Sequence, residues 1–72
     1  MTSKEIREKT THCLITYREK MEYSQEYMAE LCSLSLPGYQ DIEQGIIIPS
    51  LTTAQRIRSV TGIDLNTLTL PE

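Results

Sequence analysis

His12, Cys13 and Cys32 carry the most reactive side chains in this 72-residue chain, so they are the first residues to weigh for chemistry. As metal ligands they lack the paired spacing that a zinc site needs. As a disulfide, the two cysteines would have to leave patterns that read as helix interior, and no disulfide-dense spacing surrounds them. Two structural core thiols and an exposed histidine follow. The sequence holds no second histidine to act as a base, no glycine-rich phosphate loop and no adjacent nucleophile and base. Catalysis, a metal and a cofactor are therefore not expected. What remains is recognition by amides, hydroxyls and short carboxylates, and the elements that carry them decide what they can recognise.

Composition sets the scale of those elements. A chain this short hides only about 60% of its unfolded surface on folding and forms one domain, residues 1–72. Its 39% hydrophobic and 24% charged residues are too apolar for a disordered chain and ordinary for a soluble one. The longest uninterrupted apolar run of isoleucines, Ile46-Ile47-Ile48, is far too short to span a bilayer, and the first residues are polar. No membrane partner is expected, and the address expected is cytoplasmic.

Periodicity and punctuation predict helices throughout. Thr2 to Glu5 forms a Thr-x-x-Glu capping box, after which Ile6, Thr10, Cys13, Leu14, Tyr17 and Met21 recur at spacings of three and four over about residues 3–21. The opposite face mixes Lys4, Arg7 and Lys9 with Glu5 and Glu8 and reads as solvated. Ser24 caps a second helix over about 25–32, with Tyr23 placed to staple onto Met28 and with Met28, Ala29 and Cys32 inward. Ser35 is a candidate cap for a third, although Leu36-Pro37-Gly38 equally suits a tight turn, so that helix is expected over about 38–44, with Tyr39 and Ile42 inward and Gly45 as its stop. Ser50 caps a fourth, with Leu51, Ala54, Ile57 and Val60 as its apolar stripe and Gly62 closing it. Asp64 caps a last short one carrying Leu65 and Leu68. No alternating run competes for a strand.

The stretch from Leu14 to Glu30, with Arg18 ending the first helix and Ser24-Gln25 opening the second, resembles the Cro and phage-repressor type of helix-turn-helix family. The likeness continues through Leu34-Ser35, Ile42-Glu43-Gln44-Gly45, Pro49-Ser50-Leu51 and Gly62-Ile63-Asp64-Leu65-Asn66-Thr67-Leu68, covering residues 14–68. The resemblance implies an all-α, compact five-helix bundle of the lambda-repressor-like kind. In it residues 24–45 form the helix-turn-helix, and its second helix enters the major groove of duplex operator DNA bound by a dimer. It further implies a structural salt bridge between Arg18 and Glu43. Ser33 stands where the family places a glycine, so strain or a modified turn is expected there.

The physics of the third helix points the same way. A short helix held over a tight turn leaves an outward face whose width suits the major groove, about 12 Å across. Its outward residues are Leu36, Pro37, Gln40, Asp41 and Gln44. Gln40 can read adenine through its amide, Leu36 can touch a thymine methyl, and Asp41 can accept only from cytosine. Gln25, at the start of the second helix where amides point outward, can hold a phosphate, and the cap Ser35 completes the expected DNA contacts.

Two departures favour a second reading. Residues 24–45 contain Glu26, Glu30, Asp41 and Glu43 and no lysine or arginine, a local formal charge of −4. The whole chain carries −3 with a pI near 5.1, whereas DNA binders draw much of their affinity from cations. The loop Ile46-Ile47-Ile48 replaces the family's basic loop with an apolar patch suited to a protein partner or a second copy, unless Ile46 or Ile48 turns into the core. Two functions therefore stand: a small transcriptional regulator that binds double-stranded DNA as a homodimer, or an acidic helix-turn-helix domain that works as a protein-interaction module, an antirepressor or antitoxin-like partner.

Overall fold

A computed structural model describes residues 2–63, which form four helices: α1 (Ser3–Met21), α2 (Gln25–Leu31), α3 (Leu36–Glu43) and α4 (Leu51–Thr61). The closing helix expected from Asp64 lies outside the described residues. Among the described residues there is no strand, and no helix is long and apolar enough to cross a membrane.

Every helix begins on a hydroxyl that accepts from an amide otherwise left unpaired. Thr2 accepts from the Glu5 amide (3.2 Å), Ser24 from Tyr27 (3.0 Å), Ser35 from Gly38 (3.1 Å) and Ser50 from Thr53 (3.2 Å). Each such cap is worth about 1 kcal/mol against alanine. The Ser35 cap corrects the expected start of the third helix: α3 begins at Leu36, two residues before the expected boundary, and Pro37 sits inside its first turn. There proline's missing amide removes no hydrogen bond, because first-turn amides have no helical partner. Gly38 is explained by the same cap, since a Cβ at that position would lie 2.9 Å from the Ser35 hydroxyl oxygen. The residue that looked like a turn signal is the one that makes room for the cap.

The core gathers one stripe from each helix: Leu14 from α1, Met28 and Ala29 from α2 with Cys32 just beyond it, Tyr39 and Ile42 from α3, and Ala54 and Ile57 from α4. Tyr17, Tyr23, Leu31, Leu34, Val60 and Ile63 pack around it. Of the expected inward residues, Ile6, Cys13, Tyr17 and Val60 are half-buried and Met21 and Leu51 are exposed. Met21 and Leu51 are 41% and 61% exposed, because each stands at a helix end that projects past the core. Cys13 is half-buried, not a core thiol, and neither it nor the buried Cys32 is in a disulfide. Burial pushes the Cys32 thiol above its ordinary range and keeps it unreactive.

α3 packs against both α1 and α2. The turn that sets its angle to α2 runs through Ser33, whose φ of 57° is left-handed. The Ser33 amide donates to the Glu30 carbonyl (3.1 Å) and that of Leu34 to Ala29 (2.8 Å), so the carbonyls at the end of α2 are closed as they would be around a glycine. A side chain in this conformation is strained, whereas glycine is not. Ser33→Gly should therefore raise stability by a few tenths to about 1 kcal/mol, read as an upward shift of the urea midpoint at unchanged slope. At the other end of α3, Gly45 (φ 78°) lies against α1, where a Cβ would meet the Thr11 hydroxyl oxygen at 3.0 Å. Glycine there provides both the left-handed turn and the close approach.

Candidate functional site

One buried carboxylate organises the side of the molecule where the ends of α1 and α3 meet the start of α2. Ile42 points into the core, and its neighbour Glu43, one residue on and only 2% exposed, is carried toward the end of α1. Arg18, in the last turn of α1, meets it with Nη2 donating to Oε1 (2.9 Å) and Nε to Oε2 (3.0 Å), a bidentate pair, and gives its Nη1 to the Tyr23 carbonyl (3.2 Å). A planar fork of this kind fixes both partners in orientation as well as position. The guanidinium thus ties α1, the segment before α2 and the end of α3 together.

A row of amides continues from that carboxylate. Gln25, the first residue of α2, donates its Nε2 to Glu43 Oε1 (3.1 Å), and its own Oε1 accepts from Gln40 Nε2 (3.0 Å). Sequence reasoning placed Gln25 and Gln40 separately, as a phosphate contact and a base reader. The structure joins them with Arg18 and Glu43 in a single hydrogen-bonded chain, so the Gln25 side chain turns toward α3 instead of projecting freely. Nothing periodic announces two glutamines 15 residues apart.

The charge state of the row follows from its surroundings. Burial alone would raise the Glu43 carboxyl, but the hydrogen bonds from Arg18 and Gln25, with the Tyr39 hydroxyl close by, outweigh it and hold the group below its ordinary value of 4.5. The Arg18 guanidinium is raised in turn, by its hydrogen bonds to Glu43 foremost. Tyr39 is fully buried, and desolvation with the adjacent carboxylate pushes its phenol far above the ordinary tyrosine range. Its hydroxyl lies beside Glu43 without a hydrogen-bond partner in standard geometry among the described residues. A carboxylate lowered by folding stabilises the native state above its unfolded pKa and loses that contribution as pH falls through the lower folded value. Urea midpoints should therefore hold steady from neutrality down to about pH 5 and fall below about pH 4.5, and Glu43→Gln should flatten the part of that fall due to this group.

The other expected contact residues are distributed as follows. Ser35 spends its hydroxyl on the helix cap. Leu36 and Asp41 are half-buried, and Gln44 is exposed. The Asp41 carbonyl accepts from the amides of Ile46 (2.8 Å) and Ile47 (3.3 Å), so its backbone closes the loop after α3. That loop turns outward. Ile46, Ile47 and Ile48 are 61%, 44% and 37% exposed, and the core takes Pro49 instead.

The cations of α1 and α4, which could serve as backbone contacts if they flank the motif, are placed by two features of the fold. An open groove of about 580 Å³ lies between α1 and the end of α3, bringing Lys4, Arg7 and His12 alongside Gln44. Arg56 of α4 reaches the turn before α3, its Nη1 donating to the Ser33 carbonyl at 3.5 Å. Cations therefore flank a motif that contains none. Among the described residues no cluster of His, Cys, Asp and Glu is arranged to hold a metal ion.

No curated protein and no solved structure matches the chain. A family model described as helix-turn-helix matches residues 14–68, which is 55 of the 72 positions and takes in all of α2, α3 and α4. With α2 and α3 set across a tight turn and tied to α1 through Glu43, the chain belongs to the helix-turn-helix family of the Cro and repressor type.

Proposed function

We propose that this protein is a small transcriptional regulator that binds duplex operator DNA as a homodimer, with α3 in the major groove. The observation that carries the reading is the hydrogen-bonded row from Arg18 through Glu43 and Gln25 to Gln40. It ties α3 to α1 and α2 and holds the half-buried polar side chain of Gln40, the candidate base reader, in one place on α3. In this arrangement Gln40 meets a base edge, Gln44 and Leu36 lie to either side of it on α3, and Ser35 and Asp41 complete the contact face. Arg7 and Lys4 beside Gln44 and Arg56 at the turn supply the backbone attraction that residues 24–45 lack. Affinity from so few cations per half-site is modest, which is why two half-sites bound by a dimer are needed. A mobility-shift titration against random-sequence duplex at low salt tests this directly. Retardation that weakens steeply with added salt is expected, and an unretarded duplex at the highest protein concentration would refute DNA binding.

One observation favours a second reading. Ile46, Ile47 and Ile48, joined by Leu51 at 61% exposure, leave four large apolar side chains in solvent over six residues. A protein-interaction module would use such a surface to capture a protein partner or a second copy. Sedimentation at rising concentration separates the cases, since dimerisation alone serves both whereas a strict monomer in an unretarded shift assay leaves only a foreign partner.

A further inference from the structure

We infer that Asp41 sets the sequence preference of α3, admitting cytosine at one position of each half-site and shutting out guanine and thymine there. This rests on the DNA-binding reading above. The buried side chains of α3 are Tyr39, Ile42 and Glu43, so the face turned furthest from the core carries Pro37, Asp41 and Gln44, at helical spacings of four and three. Gln40 stands to one side of that face, with its Nε2 given to Gln25. Pro37 has no polar side-chain group to offer a base. Asp41 is thus the middle residue of the outward face and the charged one on it.

Nothing among the described residues accounts for a carboxylate at this place. Asp41 lies in the last turn of α3, at the negative end of the helix dipole, which disfavours an acid, and Glu43 adds a second negative charge two residues on. The two ion pairs among the described residues, Lys4 with Glu8 and Arg18 with Glu43, leave it out. In closing the loop Asp41 uses only its backbone carbonyl, which accepts from the amides of Ile46 and Ile47 and which any residue would supply. The side-chain charge works against the helix and is explained by what it meets outside the chain.

A carboxylate has no hydrogen to give, so it binds a base edge only where that edge donates. In the major groove cytosine presents its N4 amino group, whereas guanine presents two acceptors, N7 and O6, and thymine presents O4. Against guanine or thymine the half-buried carboxylate would be stripped of water and left facing lone pairs. Adenine falls between, since its N6 donates but the acceptor N7 lies next to it. The preference is made as much by exclusion as by attraction.

The experiment is selection from a random-sequence duplex pool at low salt, with the wild-type protein, Asp41→Ala and Asp41→Asn, followed by sequencing of the bound fraction. Both substitutions keep the backbone carbonyl and remove a charge that opposes the helix dipole, so both variants should fold, with urea midpoints no lower than that of the wild type. Wild type should enrich one C·G pair per half-site over the inverted G·C pair by about tenfold. Asp41→Ala should bring that ratio to within about twofold of unity. Asp41→Asn, whose amide both donates and accepts, should bring it to within about threefold and raise adenine at that position at least to the level of cytosine. A folded Asp41→Ala variant that keeps every C·G preference at wild-type strength would overturn the inference and leave DNA binding intact. So would a wild-type site built wholly of A·T pairs. If no duplex is enriched by the wild-type protein, the DNA-binding reading fails and the inference goes with it.

Discussion

Arg18→Ala should cost the fold about 3 kcal/mol and lower its melting temperature by about 15–20 °C, the largest effect expected of a change to any polar side chain. Removing one partner of a buried pair costs about 3–5 kcal/mol, and the lower figure applies because the Arg18 side chain retains 22% exposure. Set against the roughly 4–11 kcal/mol that 72 residues provide at about 0.05–0.15 kcal/mol each, that loss brings the domain near its unfolding threshold. The mechanism predicts a signature that loss of packing alone would not give. Without the guanidinium, burial is left as the main influence on Glu43, and its carboxyl rises above the ordinary range. A carboxyl raised by folding stabilises the native state below its unfolded pKa and withdraws that stability as pH climbs through the folded value. The variant should therefore gain stability between neutrality and about pH 5, where the parent protein is flat. Thermal melts across that range decide the matter.

Ile47→Lys should have the largest effect on binding and the least on folding. At 44% exposure the side chain can become charged without entering the core. The Asp41 carbonyl fixes the loop beside the end of α3, where a cation can reach the phosphates flanking the groove. One added contact should steepen the salt dependence by about one phosphate equivalent, so that between about 50 and 200 mM salt the variant loses some threefold to fourfold more affinity than the parent. At low salt it should bind about tenfold tighter. If the loop is instead an interface between proteins, the ammonium must be buried without a partner, and self-association or capture should weaken. Sedimentation and salt-titrated binding on the same variant separate these outcomes, and a variant unchanged in both removes the loop from either role.

Much of this architecture is legible in the sequence, for identifiable reasons. The helices announce themselves because each starts on serine or threonine followed by residues of helical period, and Gly45 and Gly62, both at positive φ, stop α3 and α4 as glycine at that position should. The start of α3 was hidden because Leu36-Pro37-Gly38 spells a tight turn to any reading that ignores the cap, and only the 2.9 Å separation between a Gly38 Cβ and the Ser35 oxygen shows that the glycine serves the helix. Met21 and Leu51 hold core-facing positions by periodicity, but period describes direction and not depth, and helix ends run past the core. The Arg18–Glu43 pair was accessible only through family resemblance, being 25 residues apart and on different helices. The amide row from Glu43 to Gln40 was not accessible at all, since a hydrogen bond between two glutamines leaves no trace in hydropathy or charge.

An amide-resolved NMR titration of the protein with a short duplex at low salt tests most directly whether α3 is the surface that meets DNA. The predicted result is that resonance shifts concentrate on Gln25, Leu36, Gln40 and Gln44, including the side-chain amides of the two row glutamines, and fade as salt is added. Shifts absent throughout, or confined to Ile46, Ile47, Ile48 and Leu51, would contradict it.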